Sequence, residues 1–181
     1  AKPLGVTNCL NFGNPYNPEV YWQFSQAIKG MGAACRKFST PVTGGNVSLY
    51  NQSDDGPVFP TPTIGMVGTI EDIVEAYIGL GFQQAGDAIY LLGTNKEDIG
   101  SSAYVYHYHS IEKSPAPHVN LDEELALQTV VLDLISQKLI QSAHDISDGG
   151  LAITLLESGF VHGLGAEISC PSDMRKVAFL F

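Results

Sequence analysis

At 181 residues the chain has enough length for one ordinary domain, or for pieces of two larger ones. Hydrophobic residues make up 44% and charged residues 15%, a globular composition that excludes a disordered chain. The net charge of −10, with nine Lys and Arg against 19 Asp and Glu, argues against nucleic acid or an anionic membrane as partner.

Leu4–Leu10 reads as a strand that runs into the turn chemistry of Asn11-Phe12-Gly13-Asn14-Pro15. Asn17-Pro18-Glu19 then opens a helix, with Asn17 as N-cap and Pro18 at the first helical position. Val20, Phe24, Ile28 (with Ala27), Met31, Cys35 and Phe38 mark its apolar face, and Arg36 and Lys37 complement the dipole in its last turn. Gly30 and Gly32 weaken this helix and point to close packing against a sheet, while Tyr21 and Trp22 flank the apolar face as packing residues.

Pro41–Asn51 is the most suggestive stretch. It carries no charge, and Gly44-Gly45 precede an alternation of Asn46, Val47, Ser48, Leu49 and Tyr50. The glycines permit backbone angles and close approaches that other residues do not. The alternation is strand-like, so Asn46 and Ser48 share one face and Val47 and Leu49 the other. Taken alone, the stretch reads as a turn into an amphipathic strand more readily than as a phosphate and metal site. Any nucleotide here would need backbone N–H groups, divalent cations or distant basic residues, because no Lys or Arg lies between Lys37 and Lys96.

Gln52–Pro57 is a turn cluster, and Val58–Thr69 resumes as strand. The pair reads as a hairpin with Asp55-Gly56 at its tip, and Pro60 and Pro62 demand an edge or a bulge. Asp54 and Asp55 are a solvated turn. Composition shifts over Glu71–Phe82, which places a domain boundary there, with regions 1–72 and 73–181. Gly86-Asp87 is a turn, Ala88–Leu92 a strand, and Tyr104–His109 a strand or a helix. His107 and His109 lack a third metal ligand nearby and read as surface residues. Leu121–Ile140 is a helix capped by Asn120, with Asp122, Glu123 and Glu124 in its first turn.

The second suggestive stretch is His144-Asp145-Ile146-Ser147-Asp148-Gly149-Gly150-Leu151, ahead of an apolar helix over Leu151–Phe160. Either Asp145 or Asp148 caps that helix, or the two carboxylates hold a metal or nucleotide together with distant ligands. Ala166–Ser169 is a short strand, followed by a turn at Pro171-Ser172-Asp173. The three cysteines, Cys9, Cys35 and Cys170, form no Cys-x-x-Cys pair and read as buried free thiols, which favours the cytoplasm. No apolar run is long enough to span a bilayer. An initial Ala and a terminal apolar run without a polar tail are expected of a fragment.

The runs Thr7–Pro15, Pro41–Asn51, Pro60–Gly68 and His144–Leu151 together resemble the phosphoribosylformylglycinamidine synthase family, and more narrowly its synthetase subunit in the small bacterial form. The resemblance places the chain in the aminoimidazole ribonucleotide synthetase superfamily. It implies a mixed α/β (α+β) fold, with the C-terminal part of an N-terminal-type domain over 1–72 and the start of a C-terminal-type domain over 73–181. It also implies a ligase that uses ATP and Mg2+. The formyl amide oxygen of formylglycinamide ribonucleotide is phosphorylated to an iminophosphate, and ammonia from a partner glutaminase then displaces phosphate. A small bridging subunit completes the complex.

Carried over by position, Asn8 and Gly45 are ATP contacts, Asn46, Asp145 and Asp148 are metal ligands, and Ser48 is a substrate contact. Asn8 stands where many members have Asp, so metal ligation there gives way to a hydrogen bond to the nucleotide. The family's catalytic histidine and its Glu-Ser-Gln-type motif have no match, so no catalytic residue is assigned and the chain alone is expected to be inactive. Two other readings compete: another member of the superfamily with a different acceptor, opposed by the Cys9–Pro15 run, and a non-catalytic half that supports subunit packing.

Overall fold

The structure, a computed structural model, describes residues 1–171 and 173–181; the expected turn at Pro171–Asp173 includes Ser172, which lies outside them. The chain divides into two compact units, Ala1–Ile73 and Val74–Phe181.

The first unit is a β-α-β crossover with an added antiparallel strand. Strand β1 (Lys2–Asn11) leads through helix α1 (Pro18–Lys37) to strand β2 (Val42–Ser48), which pairs with β1 in parallel. Two parallel neighbours need such a crossover, because a tight turn can only reverse the chain. A two-stranded hairpin, β3 (Gln52–Ser53) and β4 (Gly56–Pro57), follows. Strand β5 (Thr63–Thr69) then returns to the free edge of β1 and pairs antiparallel, giving the order β2-β1-β5.

This corrects the expected hairpin between Pro41–Asn51 and Val58–Thr69. The Asp55-Gly56 turn is real but joins only β3 to β4, while the two long strands lie on opposite sides of β1.

Helix α1 starts where the sequence indicates. Asn17 Oδ1 accepts from the Glu19 N–H at 2.9 Å, Pro18 takes the first turn, and Arg36 and Lys37 close the last. Its apolar stripe meets β1 in a core of Leu10, Phe12 and Val20, with Phe24, Ala27, Met31 and Leu49 packed around them. Phe12 is fully buried and meets Phe24 edge-on at 5.2 Å. Two details differ from expectation. Ile28 is exposed, Ala27 taking the inward position one residue away. Gly30 has open space where a Cβ would stand, and at Gly32 a Cβ would meet only the Arg36 side chain, so neither glycine serves close packing on the sheet. Tyr21 and Trp22 are exposed rather than packed.

Among the described residues the second unit joins short helices by long irregular segments, and its only β pairing is an isolated parallel bridge between Gly79 and Ser142. Its helices are α2 (Ile73–Ala76, at the junction of the units), α3 (Ala103–His109), α4 (Leu121–Ser136), α5 (Gly150–Phe160) and α6 (Lys176–Leu180). Helix α3 resolves the ambiguity of the aromatic run: Tyr104 stacks on Tyr108 one turn away, with ring centroids 5.3 Å apart. Asn120 caps α4, accepting from the N–H groups of Asp122 and Glu123 at 2.9 and 3.3 Å. The helix stops four residues short of the expected end, at Ser136 rather than Ile140.

Ala88–Leu92 and Ala166–Ser169 belong to no strand, correcting both expectations. Among the described residues neither finds a neighbouring strand, and an apolar run without a ladder partner is not a strand. The ends of the unit are tied by Asn95 Nδ2, which donates to the Ala178 carbonyl at 2.7 Å, and by Arg175, whose N–H donates to Glu97 Oε1 at 2.8 Å.

Among the described residues no helix is long and apolar enough to cross a membrane. The three cysteines are free but only half-buried.

Candidate functional site

Strand β1 has two faces. Leu10 points to α1 and the core, so Cys9 and Asn11 point to the other side. The register sets Asn46 beside Cys9 and Ser48 beside Asn11 on one flank, and Thr63 beside Cys9 and Gly65 beside Thr7 on the other. Asn46 and Ser48 therefore share the face away from α1, while Val47 lies beside Leu10 on the opposite one. Here the sheet borders a concavity of about 340 Å³, lined by Thr7, Asn8, Cys9, Gly45, Asn46, Thr63 and Gly65. No ionisable side chain other than the Cys9 thiol lines it.

Gly45 is fixed by the sheet itself. Its φ is +133°, and a Cβ there would collide with the main chain of Asn8, lying 2.7 Å from the Asn8 nitrogen. Gly44, by contrast, has open space around it. The close backbone approach that the glycine pair allows is thus made by the neighbouring strand at Gly45.

Amide side chains link the two strands. Asn8 Nδ2 donates to the Asn46 carbonyl at 3.2 Å, and Asn46 Nδ2 to Asn11 Oδ1 at 3.5 Å. With its nitrogen turned to Asn11, Asn46 keeps its side-chain oxygen for another partner. Asn11 Nδ2 donates to Cys9 Sγ at 3.2 Å. Ser48 Oγ donates to Asn51 Oδ1 at 3.3 Å, and Asn51 Nδ2 reaches the Ser48 carbonyl at 2.9 Å and the Phe12 carbonyl at 3.2 Å.

Asp145 and Asp148 lie in the second unit, ahead of α5. Neither caps the helix: Gly149 occupies the N-cap with φ +85° and no side chain bonds the first turn, which corrects the capping alternative. Asp145 is instead an exposed carboxylate beside His144. The His144 ring is largely enclosed, with Nδ1 3.5 Å from Asp145 Oδ1 and Nε2 3.0 Å from Glu157 Oε2. These two carboxylates face opposite nitrogens of one ring and do not converge. Among the described residues no group of three or more His, Cys, Asp and Glu could hold a metal ion.

The first unit thus gathers Asn8, Gly45 and Asn46 into one concavity, with Ser48 two residues along the same face. Asp145 and Asp148 belong to the second unit. Sequence reasoning missed Thr7, Cys9, Thr63 and Gly65. The alternation of Thr7 and Cys9 against Val6 and Leu10 was a usable signal for the first two; Thr63 and Gly65 required knowing that β5 pairs with β1.

Comparison with known proteins gives the lineage. Residues 1–70 match the family model described as AIR synthase related protein, N-terminal domain, and residues 84–179 match its C-terminal domain. The chain belongs to the AIR synthase related family. Within it, the chain is 47% identical over 181 residues to phosphoribosylformylglycinamidine synthase subunit PurL of Moorella thermoacetica, all of this chain against 25% of that protein. It is 49% identical over 187 aligned residues to the PurL subunit of Salinibacter ruber, again all of this chain and 25% of the relative. The chain therefore spans about a quarter of the length of the curated relatives it matches. Among solved structures, Thermotoga maritima PurL complexed with ATP is 39% identical over 35% of this chain and 11% of its own, with a TM-score of 0.32.

Proposed function

We propose that the chain is part of the synthetase subunit of phosphoribosylformylglycinamidine synthase. In this reading it is the C-terminal part of an N-terminal-type domain, over 1–72, followed by the start of a C-terminal-type domain. The observation that carries the proposal is the identity of 47% to a PurL subunit over the whole of this chain. The reaction joins formylglycinamide ribonucleotide and ammonia at the cost of ATP, in the cytoplasm, with a glutaminase subunit supplying the ammonia and a small bridging subunit between them.

The exposed face of the first unit supports a division of labour along one strand. Gly45 holds β2 against β1 without a side chain, leaving the sheet open for a nucleotide, and the Asn8 amide stands beside it. Asn46 offers a neutral oxygen. Mg2+ takes oxygen ligands and is commonly held by a carboxylate or two together with substrate phosphates. A face without carboxylates fits such an ion only in company with the nucleotide. When bound, the ion would neutralise charge on the transferred phosphoryl group.

Ser48, one step along the same face, is proposed as the contact to the ribonucleotide. Phosphoryl transfer depends on such positioning more than on covalent chemistry by the protein. Asp145 and Asp148 are proposed, with Asn46, as metal ligands.

The test is to assay the full-length synthetase carrying this sequence with ATP, formylglycinamide ribonucleotide and ammonium. ADP and the amidine ribonucleotide are expected in equal amounts. ADP release that requires a different acceptor would assign the chain to another branch of the family.

A further inference from the structure

We infer that Asn51 is the positioning residue for the Ser48 hydroxyl, and so tunes affinity for the ribonucleotide rather than for ATP. The inference rests on the reading of Ser48 as a substrate contact. The geometry is specific. Ser48 Oγ lies 3.3 Å from Asn51 Oδ1 and 3.1 Å from Asn51 Nδ2, so the amide holds the hydroxyl in one orientation. The same Nδ2 reaches the carbonyl of Ser48 at 2.9 Å and that of Phe12 at 3.2 Å, while the Asn51 N–H donates to Phe12 at 3.0 Å.

Asn51 is thereby bonded to the main chain of Phe12, whose side chain is fully buried. Ser48 is the last residue of β2, in register with Asn11 where the ladder ends, and the Asn51 amide holds its side chain there. Between them Tyr50 takes a φ of +61°, a conformation that bulky side chains avoid. That turn brings the Asn51 amide back over Ser48, with the Tyr50 N–H donating to Gly13 at 3.0 Å. Among the described residues the Asn8 amide bonds Asn46 and the Asn46 amide bonds Asn11, neither reaching Asn51, so Asn51 acts at the Ser48 end of the face.

The experiment uses the full-length synthetase with ammonium as nitrogen source, in four forms: Asn51→Ala, the isosteric Asn51→Asp, Ser48→Ala, and Ser48→Ala/Asn51→Ala. KM is measured for each substrate with the others saturating. KM does not depend on how much of a variant is folded, so it reports even where Asn51→Ala lowers the yield. Each single variant is expected to raise the ribonucleotide KM by about threefold to tenfold, the worth of one net hydrogen bond, with the ATP KM unchanged. The double variant should match Ser48→Ala alone, because no hydroxyl remains to be aimed.

A merely structural Asn51 would move both KM values together, or add its effect to that of Ser48→Ala, and either result overturns the inference. An effect of Ser48→Ala with none from the Asn51 variants also overturns it, while leaving Ser48 as a contact. No effect of Ser48→Ala removes the reading of Ser48 and the inference with it.

Discussion

Gly45 shows how one residue can be fixed by the fold before any ligand is considered. Its backbone lies where non-glycine residues are strained by about 1–3 kcal/mol, and a Cβ would press on the Asn8 main chain, which cannot move without breaking the β1–β2 ladder. Gly45→Ala is therefore expected to destabilise the chain by about 2–4 kcal/mol, read as a lower urea midpoint at unchanged slope. Gly44→Ala, with open space around it, should cost far less. The paired glycines look equivalent in the sequence, and only the register separates them. The Asn17 cap was legible because capping is local: an Asn-Pro-Glu run carries its own geometry. Ile28 was misplaced because the stripe of a 3.6-residue helix passes through Ala27 as readily as through Ile28.

At the scale of elements, local signals were read correctly and non-local pairing was not. The Asp55-Gly56 turn, the caps of α1 and α4 and the existence of β1, β2 and β5 follow from neighbouring residues. Which strand pairs with which depends on the α1 crossover, and no run of residues announces it. Ala88–Leu92 and Ala166–Ser169 failed for the same reason: they have strand composition but no neighbour among the described residues. The coupling of β1 to α1 is where the first unit is most sensitive. Phe12→Ala removes its largest fully buried side chain and the edge-on contact with Phe24, and should cost about 3–5 kcal/mol by thermal or urea unfolding. Asn17→Ala, which only orphans an N–H at the start of α1, should cost about 1 kcal/mol.

At the scale of the whole molecule, the four motif runs named the family and the order of its parts. No single stretch could do so: Pro41–Asn51 alone is a glycine turn and an amphipathic strand. The chemistry was less legible than the lineage, because the concavity takes Thr63 and Gly65 from β5 and depends on pairings the sequence does not display. No cationic side chain and no carboxylate lines the concavity, so a nucleotide there needs its charge neutralised by other groups. The isolated 181-residue chain is accordingly expected to form no amidine from ATP, ammonium and formylglycinamide ribonucleotide, and turnover by it would show that the face is self-sufficient.

The central claim is that this face of the sheet, through Asn46, handles the nucleotide and its ion. The most direct measurement is a magnesium titration of ATP-dependent turnover in the full-length synthetase, wild type against Asn46→Ala, with melting curves alongside. Asn46 is exposed and outside the core, so melting should be unchanged while turnover falls by about a hundredfold or more. Undiminished turnover with the same magnesium dependence would contradict the account.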